Sequence, residues 1–174
     1  MTNTRLLALF GAVAVLTGGG AYFYSHRSPA PDQMAVIALP APAWKLMDLD
    51  GREVSSDQFK GKVVVVDFWA TWCPPCVEEI PGYVALQKKY GPAGLIIVGV
   101  SLDRKGPEHV KKFTEANAMN YTVVMGDEEV VGAFGGIEAI PTTFLINRNG
   151  RIVHQKTGAM THDEYEQLVK RALL

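Results

Sequence analysis

Cysteine is scarce in this chain. Only two cysteines occur among 174 residues, so a framework of stabilising disulfides is excluded and the fold must rest on an apolar core. Basic residues are not in excess, because the formal net charge is −1, and this argues against nucleic acid as a partner. We find no internal repeat, no low-complexity segment and no long acidic or basic run. With 48% hydrophobic and 20% charged residues, the composition suits one globular domain with an appendage.

The N-terminus carries a 19-residue stretch without a charge, residues 6–24. It is longer than the apolar core of a usual signal peptide and about long enough to cross a bilayer as a helix. A cleaved signal is the alternative, but its best small-x-small site, residues 28–30, is followed by Pro31, before which a peptidase cuts poorly. No cysteine follows the stretch, which argues against a lipoprotein anchor. We expect residues 1–25 to be an uncleaved membrane anchor, with a signal sequence as the alternative.

The next segment is rich in proline and precedes a regular pattern of strands and helices. Residues 26–42 predict a semi-extended tether, with an apolar edge strand at 34–39. The domain at 43–174 should open with a β-hairpin at 44–55 and close with a helix after a capping box at Thr161 and Glu164. Further strands are predicted at 62–70, 95–100, 122–125, 142–147 and 151–156, and helices at 74–90, 107–118 and 127–134. This order predicts an α/β fold, with a central mixed sheet flanked by helices on both faces.

Both cysteines lie in one short motif, residues 67–76, which reads Asp-Phe-Trp-Ala-Thr-Trp-Cys-Pro-Pro-Cys and follows a run of four valines. A β-branched run that ends in Cys-x-x-Cys and leads into a helix is typical of a redox dithiol. At the start of the predicted helix, amides and the helix dipole would lower the pKa of Cys73, which makes it the attacking nucleophile. Cys76, one turn later, would be the resolving thiol. Pro74 and Pro75 remove two backbone donors, so stabilisation of the Cys73 sulfur should depend on the Cys76 amide and the dipole.

Two interpretations of the cysteines without redox activity are an inert structural pair and half of a zinc site. Zinc would need two more ligands, and none of the four histidines is spaced as a pair. We therefore expect no metal at the motif and read the histidines as solvated.

The motif, followed by Glu-Glu-Ile-Pro at 78–81, resembles the thioredoxin superfamily. More narrowly, it is similar to the membrane-anchored TlpA/ResA branch, which includes the CcmG-type cytochrome c maturation proteins. The resemblance covers about residues 41–174 and implies a thioredoxin-like fold, with residues 102–118 as an αβ-type insertion. Pro81 matches the kinking proline of this branch. Asp67 stands where the nearest members carry asparagine, and it coincides instead with the buried aspartate of ordinary thioredoxin.

Two carboxylic acids are candidates for catalysis beside the cysteines. Glu79 falls where the branch carries an acid and lies on the same side of the predicted helix as Cys76. If it is buried, its pKa is raised and it can exchange a proton with Cys76; the alternative is a solvated carboxylate, which is how we read Glu78. Asp67 lies among apolar strand residues, which favours a neutral functional acid over an exposed strand end.

The resemblance also implies a substrate-binding surface. Ile140-Pro141-Thr142 matches the cis-proline loop that faces the dithiol in this superfamily, although a plain proline at a strand start is the alternative. Trp72 adjoins the nucleophile and should line the substrate surface together with Pro74 and Pro75. The other aromatic residues of the motif region should pack in the core, namely Trp44, Phe68 and Trp69.

Thiol–disulfide exchange outside the cytoplasm, without a cofactor, is the function that these observations favour. Protein disulfides would be the substrates and the protein would act as a reductant, with apocytochrome c as one candidate partner. The resemblance implies a bacterial cytoplasmic membrane protein that a thiol transporter of the CcdA/DsbD type re-reduces. A peroxiredoxin-like peroxidase is one alternative, but Ala70 occupies the position of its threonine. A Sco-like copper chaperone is another, but it needs Cys-x-x-x-Cys.

Overall fold

The computed structural model describes residues 39–174. The predicted anchor at 1–25 and most of the predicted tether at 26–42 lie outside the described residues. Within 39–174, none of the helices combines the length and the apolar character needed to cross a membrane.

Eight strands and four helices form the described chain, and their bounds lie close to the predicted ones. The strands are β1 Leu39–Pro40, β2 Lys45–Met47, β3 Glu53–Ser55, β4 Val63–Trp69, β5 Leu95–Ser101, β6 Thr122–Met125, β7 Thr142–Ile146 and β8 Arg151–Thr157. The helices are α1 Pro74–Tyr90, α2 Pro107–Ala116, α3 Glu128–Ala133 and α4 His162–Leu173, with short 3₁₀ turns at Ser56–Phe59 and Gly91–Ala93.

Six strands form one mixed sheet in the order β1-β8-β7-β4-β5-β6. Strands β4, β5 and β6 are parallel, whereas β7, β8 and β1 join them antiparallel. Strands β2 and β3 make the predicted hairpin, which a single bridge from Asp48 to Val124 connects to the main sheet. The mixed sheet predicted from the element order is confirmed.

Strand β4 is buried along its whole length because both faces of the sheet are covered. Val64, Val66 and Phe68 pack in one cluster with the hairpin and α3. Val63 and Val65 pack on the opposite face, in a cluster that α1 and α4 complete. Each fully buried side chain of this kind contributes about 1.5–3 kcal/mol, so this strand anchors the fold.

Local signals account for most element ends. Thr161 and Glu164 form the predicted capping box at the start of α4, and Pro81 lies inside α1. Helix α2 stops at Ala116, two residues earlier than predicted, where Asn117 ends the helix. Ser55 caps the short 3₁₀ turn at Ser56–Phe59, and its side chain accepts a hydrogen bond from the Asp57 amide.

Glycine is required at position 99 of β5, where the chain passes the buried indole of Trp69. A Cβ at this position would lie 2.8 Å from Trp69 Nε1. We expect Gly99→Ala to lower the free energy of unfolding by about 1–3 kcal/mol, because the rigid ring cannot move away. Denaturant titration measures this loss.

Gly132→Ala is the matched control, since a Cβ at position 132 in α3 meets nothing within 4 Å. Alanine should be neutral there or should stabilise the helix by roughly 0.5–1 kcal/mol. Equal stabilities of Gly99→Ala and the wild type would contradict the packing argument.

Candidate active site

The two cysteines lie at the N-terminus of α1, directly after β4, and are joined by a disulfide. Cys73 is the N-cap residue, and the Cys76 amide donates a hydrogen bond to its Sγ at 3.3 Å. The Cys76 amide thus contacts the Cys73 sulfur, as the prediction requires. Cys73 and Cys76 are 4% and 1% exposed, so Cys76 is the more deeply buried of the two.

The proline loop lies beside Cys73. The Ile140–Pro141 peptide bond is cis, and the Ile140 carbonyl oxygen is 3.8 Å from Cys73 Sγ. Pro141 itself is buried. Thr142 turns inward, where its hydroxyl donates to the Ala139 carbonyl at 2.7 Å. The backbone of Ile140 is therefore the part of this loop that a substrate chain at Cys73 can meet.

Exposed apolar residues surround the motif on its outer side. Trp72 is 63% exposed, and Pro74 and Pro75 are exposed in the first turn of α1. Trp69, by contrast, is buried, as the sequence predicts, and Trp44 and Phe68 belong to the core. An exposed indole next to a reactive sulfur provides a contact surface for an apolar or extended partner.

Both candidate acids are buried. Asp67 is 4% exposed; burial and the nearby Glu79 charge raise its pKa to about 8, although the Thr143 hydroxyl donates to its carboxylate at 3.1 Å. Burial raises the pKa of Glu79 to about 7. The Met160 amide, which donates a hydrogen bond to Glu79 Oε1 at 2.7 Å, lowers this pKa and so offsets part of the rise. Glu78 is exposed. Two acids with pKa values close to neutrality can accept or donate protons at physiological pH.

A polar network around Asp103 was not predicted from the sequence. Asp103 accepts from the Thr71 amide at 2.9 Å and from the Thr71 hydroxyl at 2.6 Å, and Ser101 also donates to it at 2.9 Å. His109 of α2 lies 3.2 Å from the same Thr71 hydroxyl. This network holds the loop that carries Trp72 and Cys73. The sequence did contain a signal for this network. Thr71 and Asp103 follow the neighbouring parallel strands β4 and β5, and side chains that follow such strands meet at one edge of the sheet.

The prediction that the histidines are solvated is wrong for two of them. His109 takes part in the network above, and His154 is half-buried, with a pKa lowered by burial and by Arg171 and Lys156. His162 is exposed, as expected, and His26 lies outside the described residues. His162, Asp163 and Glu166 form the group of possible metal ligands found within 39–174, and it includes neither cysteine.

Comparison with known proteins agrees with this geometry. Residues 38–170 match the family described as Redoxin. The chain is 35% identical to thiol-disulfide oxidoreductase ResA of Bacillus subtilis (strain 168) over 170 residues, which cover 95% of this chain and 94% of ResA. It is 36% identical to ResA of Geobacillus thermodenitrificans (strain NG80-2) over 132 residues, 75% of each chain.

Solved structures give the same likeness. A thiol:disulfide interchange protein of the thioredoxin family from Chlorobium tepidum TLS superposes with a TM-score of 0.73 at 35% identity, covering 79% of this chain and 97% of that one. StoA of Bacillus subtilis superposes with a TM-score of 0.62 at 28% identity, covering 75% and 97%.

The two buried acids should make stability depend on pH. Asp67 and Glu79 keep their protons to higher pH in the folded than in the unfolded chain, so the folded state binds more protons above the ordinary acid pKa. The free energy of unfolding should therefore fall as pH rises from about 5, by up to about 1.4 kcal/mol per pH unit for each acid, until about pH 7 for Glu79 and about pH 8 for Asp67. Asp67→Asn should reduce this slope, as measured by urea titration across that range.

The exposed neighbour offers a control for this titration. Glu78→Gln should leave the pH dependence unchanged. A slope in Asp67→Asn equal to that of the wild type would show that Asp67 ionises normally.

Proposed function

We propose that this chain, which belongs to the Redoxin family, is a thiol–disulfide oxidoreductase that acts outside the cytoplasm as a reductant of protein disulfides. The observation that carries the proposal is the dithiol at the N-terminus of α1, with the Ile140 carbonyl 3.8 Å from Cys73 Sγ. This arrangement places the nucleophile beside a backbone edge that an extended substrate can adjoin.

The reaction proceeds through a mixed disulfide. The Cys73 thiolate attacks one sulfur of the substrate disulfide, and the other substrate sulfur leaves and takes a proton. Cys76 then loses its proton and attacks Cys73 Sγ, which releases the second substrate thiol and forms the Cys73–Cys76 disulfide. The substrate gains two electrons and two protons. We assign the acceptance of the Cys76 proton to Glu79 and Asp67, whose pKa values lie near neutrality.

Recognition of the substrate would use the exposed apolar residues next to Cys73. Trp72, Pro74 and Pro75 offer contact area, and the Ile140 backbone offers hydrogen bonds. Pro141 and Thr142 hold this loop in place from beneath. An unfolded or extended chain fits such an open surface better than a folded partner, which supports apocytochrome c as one candidate substrate.

The N-terminal segment would keep this domain at the outer side of the bacterial cytoplasmic membrane. Residues 1–25 would be the anchor and 26–42 the tether that precedes the domain at 43–174. The alignment with Bacillus subtilis ResA covers 95% of the chain and so extends into the uncharged stretch at 6–24. A membrane thiol transporter of the CcdA/DsbD type would return the dithiol to its reduced form.

The alternative functions have less support. Position 70, where a peroxidase would need threonine, is a buried alanine. The two cysteines are three residues apart, one residue fewer than the copper chaperone requires.

The reduction potential of the Cys73–Cys76 pair tests the proposed direction. We expect a value well below the glutathione range, toward roughly −270 mV, because a reductant must hold its electrons weakly enough to pass them on. Equilibration with glutathione or dithiothreitol buffers, read by thiol alkylation, gives the value. A potential near −120 mV would mean an oxidant. Cys76→Ser, which cannot form the disulfide, should instead accumulate a mixed disulfide at Cys73.

Removing either acid should slow turnover. We expect Asp67→Asn and Glu79→Gln each to reduce the rate at which a model disulfide is reduced by about 10-fold to 100-fold, since proton transfer at Cys76 is lost. Stopped-flow tryptophan fluorescence measures the rate. Glu78→Gln is the matched control and should keep the wild-type rate; unchanged rates in both acid variants would refute the roles assigned to them.

A further inference from the structure

Three hydroxyl groups connect the buried carboxylate of Asp67 to the space between α1 and α4. The Thr143 hydroxyl donates to Asp67 Oδ1 at 3.1 Å. The Tyr165 hydroxyl donates to Thr143 Oγ1 at 2.6 Å, and the Tyr83 hydroxyl donates to the Tyr165 hydroxyl at 2.5 Å. The hydroxyl chain, as we name Tyr83, Tyr165 and Thr143 together, is buried, at 2%, 5% and 3% exposure.

All three hydroxyls lie within hydrogen-bond distance of one another, because the Tyr83 hydroxyl is also 3.2 Å from Thr143 Oγ1, where either oxygen can donate. Each hydroxyl can both donate and accept, so the group can be arranged with its protons directed toward Asp67. Such an ordered row of donors and acceptors can pass a proton by successive transfer, without moving any heavy atom far.

A cavity is bordered by both tyrosines of the hydroxyl chain. It has a volume of about 270 Å³, and Tyr83 and Tyr165 both line it, together with Glu79, Met160 and His162. A cavity of this size with polar walls can admit several solvent molecules. Glu79 therefore reaches the cavity directly, whereas Asp67, which does not line it, reaches it through the hydroxyls.

We propose that the hydroxyl chain is the path by which Asp67 exchanges its proton with solvent in the cavity between α1 and α4. The proposal deepens the proposed function and rests on it, because Asp67 matters to catalysis as a proton carrier for Cys76. Tyr83, Tyr165 and Thr143 are positioning residues in this scheme, since they act through Asp67 and touch no substrate. Glu79 and Asp67 then exchange protons with solvent by separate routes.

The transfer balances as follows. A hydronium ion in the cavity gives a proton to Tyr83, which passes its own proton to Tyr165. Tyr165 passes its own proton to Thr143, and Thr143 protonates the Asp67 carboxylate. One hydronium becomes water and one carboxylate becomes a carboxylic acid, while each hydroxyl ends with one proton. The reverse sequence returns the proton that Asp67 takes from Cys76.

The surroundings of Asp67 favour hydroxyls that stay protonated at rest. The titratable groups that face Asp67 are Glu79 and Tyr83 from α1, Tyr121 just before β6 and Tyr165 from α4. Burial and the negative charge of Asp67 raise the pKa of Tyr83, Tyr121 and Tyr165 above the ordinary tyrosine value. The hydroxyls of Tyr83 and Tyr165 therefore remain protonated and can take part in proton transfer to Asp67.

The experiment follows the Asp67 carboxyl band by infrared spectroscopy after a pH jump across pH 8, near its pKa of about 8. It uses the oxidised full-length protein, and Asp67→Asn assigns the band. Tyr83→Phe, Tyr165→Phe and Thr143→Val each remove one hydroxyl from the chain. Tyr121→Phe is the matched control, because Tyr121 packs on Tyr83 at 6.1 Å between ring centroids but is not part of the hydroxyl chain.

We expect Thr143→Val to slow protonation of Asp67 about tenfold, with a changed solvent isotope effect. Tyr83→Phe and Tyr165→Phe should each slow it less, because the hydroxyl of either tyrosine contacts Thr143 directly. Thr143→Ser keeps the hydroxyl and should restore the wild-type rate, so the serine and valine variants decide the question even if a tyrosine variant fails to fold. A wild-type rate in Thr143→Val, or equal slowing in Tyr121→Phe, would overturn the proposal. The measurement needs no substrate, so a failure of the proposed reductant function would appear separately, as wild-type protein that reduces no disulfide.

Discussion

Burial of strand β4 on both faces is the constraint on which the other features depend. All seven of its residues are buried, and the strand is the junction between the parallel and antiparallel halves of the sheet. Its C-terminal end delivers the chain into the motif and then into α1, so the position of Cys73 is determined by the packing of the strand. The packing of β4 thereby keeps Cys73 Sγ close to the cis-proline loop, 3.8 Å from the Ile140 carbonyl oxygen.

The same burial makes Asp67 exceptional. A carboxylate in the middle of a strand with no solvent on either side is costly to ionise, and a second acid nearby adds to that cost. The fold offsets part of it with one hydrogen bond from Thr143. The result is an acid whose pKa lies near neutrality because of where the strand runs, and whose link to solvent depends on the hydroxyls of Tyr83 and Tyr165.

Local patterns predicted what depends on local interactions. Helix α1, its internal proline, the capping box of α4 and the strands β4 to β8 follow from apolar periodicity, caps and turn residues, and their predicted bounds fall within about two residues of the observed ones. The cysteine motif predicted the redox pair and its hydrogen bond from the Cys76 amide. The Asp103 network was missed because Thr71 and Asp103 lie on separate strand ends, 32 residues apart. His154 was misread because its burial comes from packing between elements.

The sequence alone determined the order of the elements, the mixed sheet, the position of the dithiol at a helix N-terminus and the family. These properties rest on residues near each other in the chain, where spacing defines geometry. Only the tertiary structure decided which side chains surround Asp67 and Glu79, because Thr143 and Met160 reach them from 76 and 81 residues away. A proton route is a property of contacts between distant segments, and no local pattern encodes it.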